Sequence, residues 1–308
     1  MLVDAAPTTP DDSAREAALA ASRDAGTGRL AEVGAWIAAC QGQFPPRPLQ
    51  RCRVVVFAGD HGVAARGVSA LPAGHSVERT AEIESGAGTA NVLARTAGAS
   101  IRVVDISLDH EAWGDERVAR STGSIDVEDA MDAEQFARAV KIGRRVADQE
   151  IDSGSDLLIP GDLGVGNTTV AAAVLGAFSG TEPVAVVGPG AGLDTERWKI
   201  KVEAIRDAMF RARGLTDDPE EVLRRIGSPD LVALAAFIAQ AAVRRTPVLL
   251  DGAPVIRPGN AERLRAGELL TLRAVAKRDD TLSLASALVR VGEAGCEQIE
   301  PYRPAWAR

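Results

Sequence analysis

Residues Leu157–Phe178, LLIPGDLGVGNTTVAAAVLGAF, decide how the rest of this 308-residue chain is read. A short apolar run enters a loop carrying Gly161, Gly164 and Gly166, and the chain then becomes an alanine-rich helix. Strand, glycine loop and helix in that order are the local plan of a parallel α/β sheet, with the loop at the carboxyl end of its strand. Glycines there let successive backbone N–H groups turn towards one point, and the helix adds the positive end of its dipole. Such a loop suits a small anion. Gly161, four residues, Gly166, Asn167 and Thr168 follow nucleotide P-loop spacing, except that Asn167 stands where the lysine belongs. Without that lysine a monophosphate fits better than the outer phosphates of a triphosphate. The competing reading is a tight strand-to-helix turn with no ligand.

Outward from this stretch the theme repeats. RVVVFAGDHG, SIRVVDISL, DLLIP, PVAVVG and PVLLDG are short apolar runs without alternation, the pattern of strands covered on both faces. Helical patterns lie between them at 80–97, 133–153, 169–178, 197–212 and 230–245, with two more at 12–21 and 29–40. The helix starting at Asp230 is punctuated by Ser228 as N-cap and Pro229 at the first position, and Asp12 and Ser13 offer caps for the first helix. The expected fold is α/β: a Rossmann-like parallel sheet flanked by helices, with a smaller helical part from the terminal segments. The expected divisions are an N-terminal helical segment (1–50), an α/β nucleotide-binding domain (51–252) and a mostly helical, arginine-rich region (253–308).

Composition narrows the function. A formal net charge of −8 opposes a nucleic-acid surface, because phosphate backbones are held by clustered Lys and Arg. Cys40, Cys52 and Cys296 are too few and too scattered for a disulfide framework, and no C-x-x-C pair suggests zinc. The N-terminus has no secretory pattern, and runs such as LVALAAFIAQAAV fall short of the ~20 residues of a membrane span. A cytoplasmic protein acting on small molecules is the expectation. That apolar helix belongs in a core or in a symmetric interface.

Two further loops carry polar groups. VVGPGAGLD places Gly188, Gly190 and Gly192 in alternation, which is not the dinucleotide fingerprint, and Lys199 and Lys201 follow on different sides of a helix. One of the two lysines can reach a phosphate while the other is solvated. Asp60 and His61 close the first strand. An Asp-His pair can serve a metal or acid–base chemistry, but His75 and His110 stand apart in the sequence, and a turn fixed by a hydrogen-bonded Asp60 is the preferred reading.

Taken together, FAGDHGVAARGVSA, GAGTANVLARTAGA, PGDLGVGNTTVAAAVLGAFSG, VVGPGAGLD, KVEAIRDA and GSPDLVALAAFIAQAAVRRTPVLLDG resemble the nicotinate-nucleotide:dimethylbenzimidazole phosphoribosyltransferase family, in family order and over roughly 54–252. The resemblance implies phosphoribosyl transfer from nicotinate mononucleotide to an aromatic base, without metal or cofactor, by a cytoplasmic homodimer. It assigns Gly164, Gly166, Asn167, Thr168 and Thr169 to the mononucleotide phosphate, with Lys201 facing it and Gly188, Gly190 and Gly192 lining the nucleotide. Asp162 stands where the family has glutamate, near the ribose. Leu71 and Arg79 fall at base-binding positions where the family carries other residues. Glu293, in RVGEAG, is the general-base candidate, although it arrives about a dozen residues early. Three readings follow: this reaction with 5,6-dimethylbenzimidazole, the same chemistry with another acceptor, or a nucleotide-binding relative without catalysis.

Overall fold

The computed structural model describes residues 10–23, 29–111, 114–187 and 192–249 and two short strands further on. In chain order these form α1 (Asp12–Ser22), α2 (Arg29–Gln41), β1 (Cys52–Gly59), α3 (His75–Glu84), α4 (Thr89–Thr96), β2 (Ser100–Ser107), α5 (Ala133–Asp152), β3 (Leu157–Leu163), α6 (Asn167–Ser179), α7 (Pro183–Val186), α8 (Thr195–Arg211), α9 (Pro219–Ile226) and α10 (Pro229–Val243). The two short strands, β4 (Leu270–Leu272) and β5 (Ala287–Val289), pair antiparallel and are all that is described of 253–308.

β1, β2 and β3 make a parallel sheet in the order β2-β1-β3, the expected α/β architecture. β1 is central, and its unbroken apolar run is explained by cover on both faces. Val55 and Phe57 enter the large core with α5, α6, α8, α9 and α10, while Val56 and Ala58 enter a smaller one with Ile83 of α3. Phe57 meets Phe237 of α10 edge to face, ring centres 5.3 Å apart. Among the described residues, the sheet continues beyond β3 only as a bridge from Leu158 to Val248. Pro160, which has no N–H to give, therefore sits in a strand that is nearly an edge.

Differences from the sequence reading have local causes. Residues 80–97 are two helices, not one: Gly86 adopts a left-handed turn (φ 79°), and Asn91 donates to the carbonyl of Ile83 across it. PVAVV is not a strand but the single helical turn α7, opened by Pro183 at its first position. Asp11, rather than Asp12 or Ser13, caps α1 by accepting from Ala14 N at 3.0 Å. Ser228 occupies the N-cap of α10 without making a side-chain cap bond. α10 itself lies in the core of this chain, so its apolar surface needs no symmetric interface.

α5 is fixed at its start by a capping box, with Asp132 accepting from Gln135 N and Gln135 accepting from Asp132 N. Its buried Glu150 binds Arg53 of β1 and Arg102 of β2, each at 2.9 Å. Against α10 it makes a close crossing at Gly143, where a Cβ would overlap the Ala233 carbonyl oxygen. Gly143→Ala should therefore lower stability by about 1–3 kcal/mol through overpacking, opposite in sign to the gain of ~1 kcal/mol that helix propensity alone would give. Urea unfolding monitored by circular dichroism reads that sign.

Candidate functional site

The carboxyl edge of the sheet gathers most of the residues singled out in the sequence. Gly166 starts α6 in the left-handed region (φ 94°), where a side chain is strained and Gly is favoured. Gly164 is glycine for a second reason, since a Cβ there would overlap the Gly59 carbonyl oxygen of β1. The glycine spacing thus serves both the turn and the close approach of loop to strand.

Polar side chains around the turn form a chain of bonds. Asn167 Nδ2 donates to Asp162 Oδ2 at 2.8 Å, and Asn167 Oδ1 accepts from Thr168 N at 2.7 Å. Thr168 Oγ1 accepts from Lys201 Nζ at 2.7 Å. Lys201 on α8 is 1% exposed and Asp162 2%, so an acid and a base are both held in the interior next to the start of α6. Such burial requires compensation by partners, which Asn167 and Thr168 supply. Lys199, by contrast, is exposed and pairs with Glu196 on its own helix. Of the two lysines, only Lys201 reaches the loop. Thr169 is fully buried, donating its N–H to Gly166 O at 2.9 Å, and its hydroxyl makes no hydrogen bond among the described residues.

A second network fixes the loop from the other side. Val165 N donates to Ser76 Oγ of α3 at 2.9 Å, and Ser76 donates to Asp60 Oδ1 at 2.6 Å. Asp60 Oδ2 accepts from Asp109 N just beyond β2 at 3.0 Å, so Asp60 is the hydrogen-bonded turn residue expected. Next along the edge, buried Asp105 of β2 binds Arg117 at 2.9 Å and His110 at 3.1 Å. No group of three or more His, Cys, Asp or Glu side chains among the described residues is arranged to hold a metal.

The remaining candidates are placed less tightly. The N–H of Leu71 donates to Ser69 Oγ, and Arg197 of α8 reaches the Ser69 carbonyl at 3.4 Å, which ties the Leu71 loop to the helix carrying Lys201. Arg79 pairs with Glu82 one turn along α3. Gly192 is exposed in a left-handed turn (φ 66°). Gly188, Gly190 and Glu293 lie outside the described residues. Sequence reading missed Ser76, whose only signal is a serine on the buried face of a short helix, and it named Asp230 only as the start of a helix.

A family model described as Phosphoribosyltransferase matches residues 8–258. The chain belongs to this phosphoribosyltransferase family. It is 65% identical over 228 residues to a nicotinate-nucleotide--dimethylbenzimidazole phosphoribosyltransferase of Corynebacterium glutamicum, covering 74% of this chain and 64% of that one. A Mycobacterium ulcerans protein of the same name is 49% identical over 273 residues, 85% of this chain and 76% of its own. The crystal structure of CobT from Thermus thermophilus superposes with a TM-score of 0.73 at 32% identity, over 83% of this chain and 81% of that one. The chain thus spans just under two thirds of the length of the corynebacterial relative. No described helix is long and apolar enough to cross a membrane.

Around this loop, Ser76 is the residue whose loss is most readily isolated. Ser76→Ala leaves Val165 N–H and one oxygen of Asp60 without their partner, and should cost about 1–3 kcal/mol in denaturant unfolding. A change below ~0.5 kcal/mol would mean that water replaces the hydroxyl at no loss.

Proposed function

We propose that the protein transfers phosphoribose from nicotinate mononucleotide to an aromatic base, 5,6-dimethylbenzimidazole first among candidates, releasing nicotinate and an α-ribazole phosphate. The observation that carries the reading is the buried Lys201 Nζ on Thr168 Oγ1 at the N-terminus of α6, a cation and a helix start converging on one loop. The names of the relatives support the choice of substrates.

In this reading the phosphate anchors one end of the ribose on residues 164–169 with Lys201 behind, and Asp162 lies towards the sugar. The pyridinium nitrogen of the donor is already positive, so the C1′–N bond breaks with its electrons returning to the ring. The imine-type nitrogen of the acceptor ring forms the new bond from the opposite face, inverting β to α, and the N–H proton on the ring's other nitrogen passes to a carboxylate. Glu293 is proposed for that proton, and orientation supplies much of the rate. Leu71 and Arg79 are proposed to border the acceptor, and Gly188, Gly190 and Gly192 the nucleotide. No cofactor enters this scheme. We further propose a cytoplasmic homodimer, a state supported by exposed Leu30 and Val33 on α2 and Val92 and Leu93 on α4.

Nicotinate release from the mononucleotide, followed with 5,6-dimethylbenzimidazole and with a panel of other benzimidazoles, purines and phenols, tests the reading. Release with dimethylbenzimidazole supports it. Release only with another base moves the acceptor, and binding without release with any base favours a non-catalytic relative.

Two substitutions sharpen the assignment. Lys201→Ala should weaken the mononucleotide by about 1.5–3 kcal/mol while changing the dephosphorylated nucleoside little. Equal losses for both in calorimetry would remove Lys201 from the phosphate. Glu293→Gln should lower turnover by ~10²–10⁴-fold with nucleotide affinity preserved, and normal turnover would place the base elsewhere.

A further inference from the structure

Beneath the phosphate loop lies a second pair of buried ionisable side chains that the reaction above does not use. His61 follows β1 and is 2% exposed, and Asp230 sits in the first turn of α10 and is 1% exposed. His61 Nε2 stands 3.7 Å from Asp230 Oδ2. Neither ring nitrogen of His61 makes a hydrogen bond among the described residues, and neither does Asp230 Oδ1. A buried polar atom left in this way is costly, and an apolar side chain of similar volume would fill the space without that penalty.

The ring is placed against the loop. A Cβ built on Gly164 would lie 2.9 Å from His61 Nε2, and one on Gly166 would lie 3.2 Å from His61 Cβ. Both glycines of the loop therefore rest on this histidine. Asp230 is wedged in turn behind Gly59, where a Cβ would meet Asp230 Oδ1 at 3.0 Å and Ser107 Oγ at 2.5 Å. The contacts run from α10, packed into the large core, through Asp230 and His61 to the backbone that presents the N–H groups of α6.

We infer that His61 and Asp230 are a positioning pair that braces residues 164–168 in the conformation that receives the phosphate, an inference that rests on the proposed phosphate site. The pair touches no reacting atom. It acts by fixing where the loop N–H groups point, and a misplacement of about 1 Å at such a site is felt strongly.

The test compares His61→Ala, Asp230→Ala, the double variant and the conservative Asp230→Asn in the full chain. Amide hydrogen exchange is measured across 161–169, with α5 and α10 as internal references, and calorimetry gives affinities for nicotinate mononucleotide and its dephosphorylated nucleoside. Each alanine variant should speed exchange at 164–168 by about tenfold or more while the reference helices stay protected. Mononucleotide affinity should fall about 10- to 100-fold, with the nucleoside changed much less. The double variant should be no worse than either single one, and Asp230→Asn, which keeps the volume and an oxygen beside the ring, should retain most of the affinity. Exchange that rises equally in loop and reference helices, or unchanged mononucleotide affinity in the variants, overturns the inference. Should the alanine variants fail to fold, His61→Gln and Asp230→Asn are read by the same two measurements, with local loosening expected only for His61→Gln. If the unaltered protein binds no mononucleotide while the loop still loosens selectively, the phosphate reading fails and the brace stands.

Discussion

The hydroxyl of Ser76 accepts a hydrogen bond from the N–H of Val165 and donates one to the buried carboxylate of Asp60. Through those two bonds it joins α3, the end of β1 and the loop before α6, three pieces far apart in sequence. Asp60 carries the connection on to the backbone of Asp109 after β2. The carboxyl edge is therefore one hydrogen-bonded object, in which the strand ends and the loop keep their spacing together. In a dry interior each of these bonds is expensive to lose, because the partner left behind cannot turn to water.

Lys201 completes the edge from another direction. α8 is long enough to lay Ile205 and Ala208 into the core while Lys201, one turn earlier, points its ammonium at Thr168. The same helix keeps Lys199 in solvent, where Glu196 holds it. Helical geometry alone separates two lysines that neighbouring positions in sequence make look equivalent. Residues two apart cannot share a face.

Much of this was legible in the sequence because the signals are strong and local. The runs of β1, β2 and β3 lack alternation and proved to be covered on both faces, and α5 and α8 repeat their apolar residues at helical spacing. PVAVV misled for the same physical reason: a short apolar run is equally a buried strand or a buried helical turn, and a proline at its start decides only once its neighbours are in place. The break after α3 hid because Gly86 sits within a pattern that otherwise continues. At the site, the loop glycines Gly164 and Gly166 stood out locally and the family resemblance chose Lys201 over Lys199, whereas Ser76, His61 and Asp230 owe their places to contacts across the fold. Val165 is 89 residues from Ser76, and no local pattern encodes such a distance.

Among the described residues, the two faces of the sheet are unequal. α5 and α10 interlock over a core that also draws in α6, α8 and α9, while the α3 face rests on Val56, Ala58, Ile83, Leu108 and Leu163 with a few half-buried neighbours. Local opening is cheapest where the least apolar surface must be exposed, so the thin side is where opening is expected first. That side holds Ser76. A transient lifting of α3 would release Val165 and the turn above it while the opposite helical layer stays shut, a route of motion for the loop that need not disturb the rest of the domain.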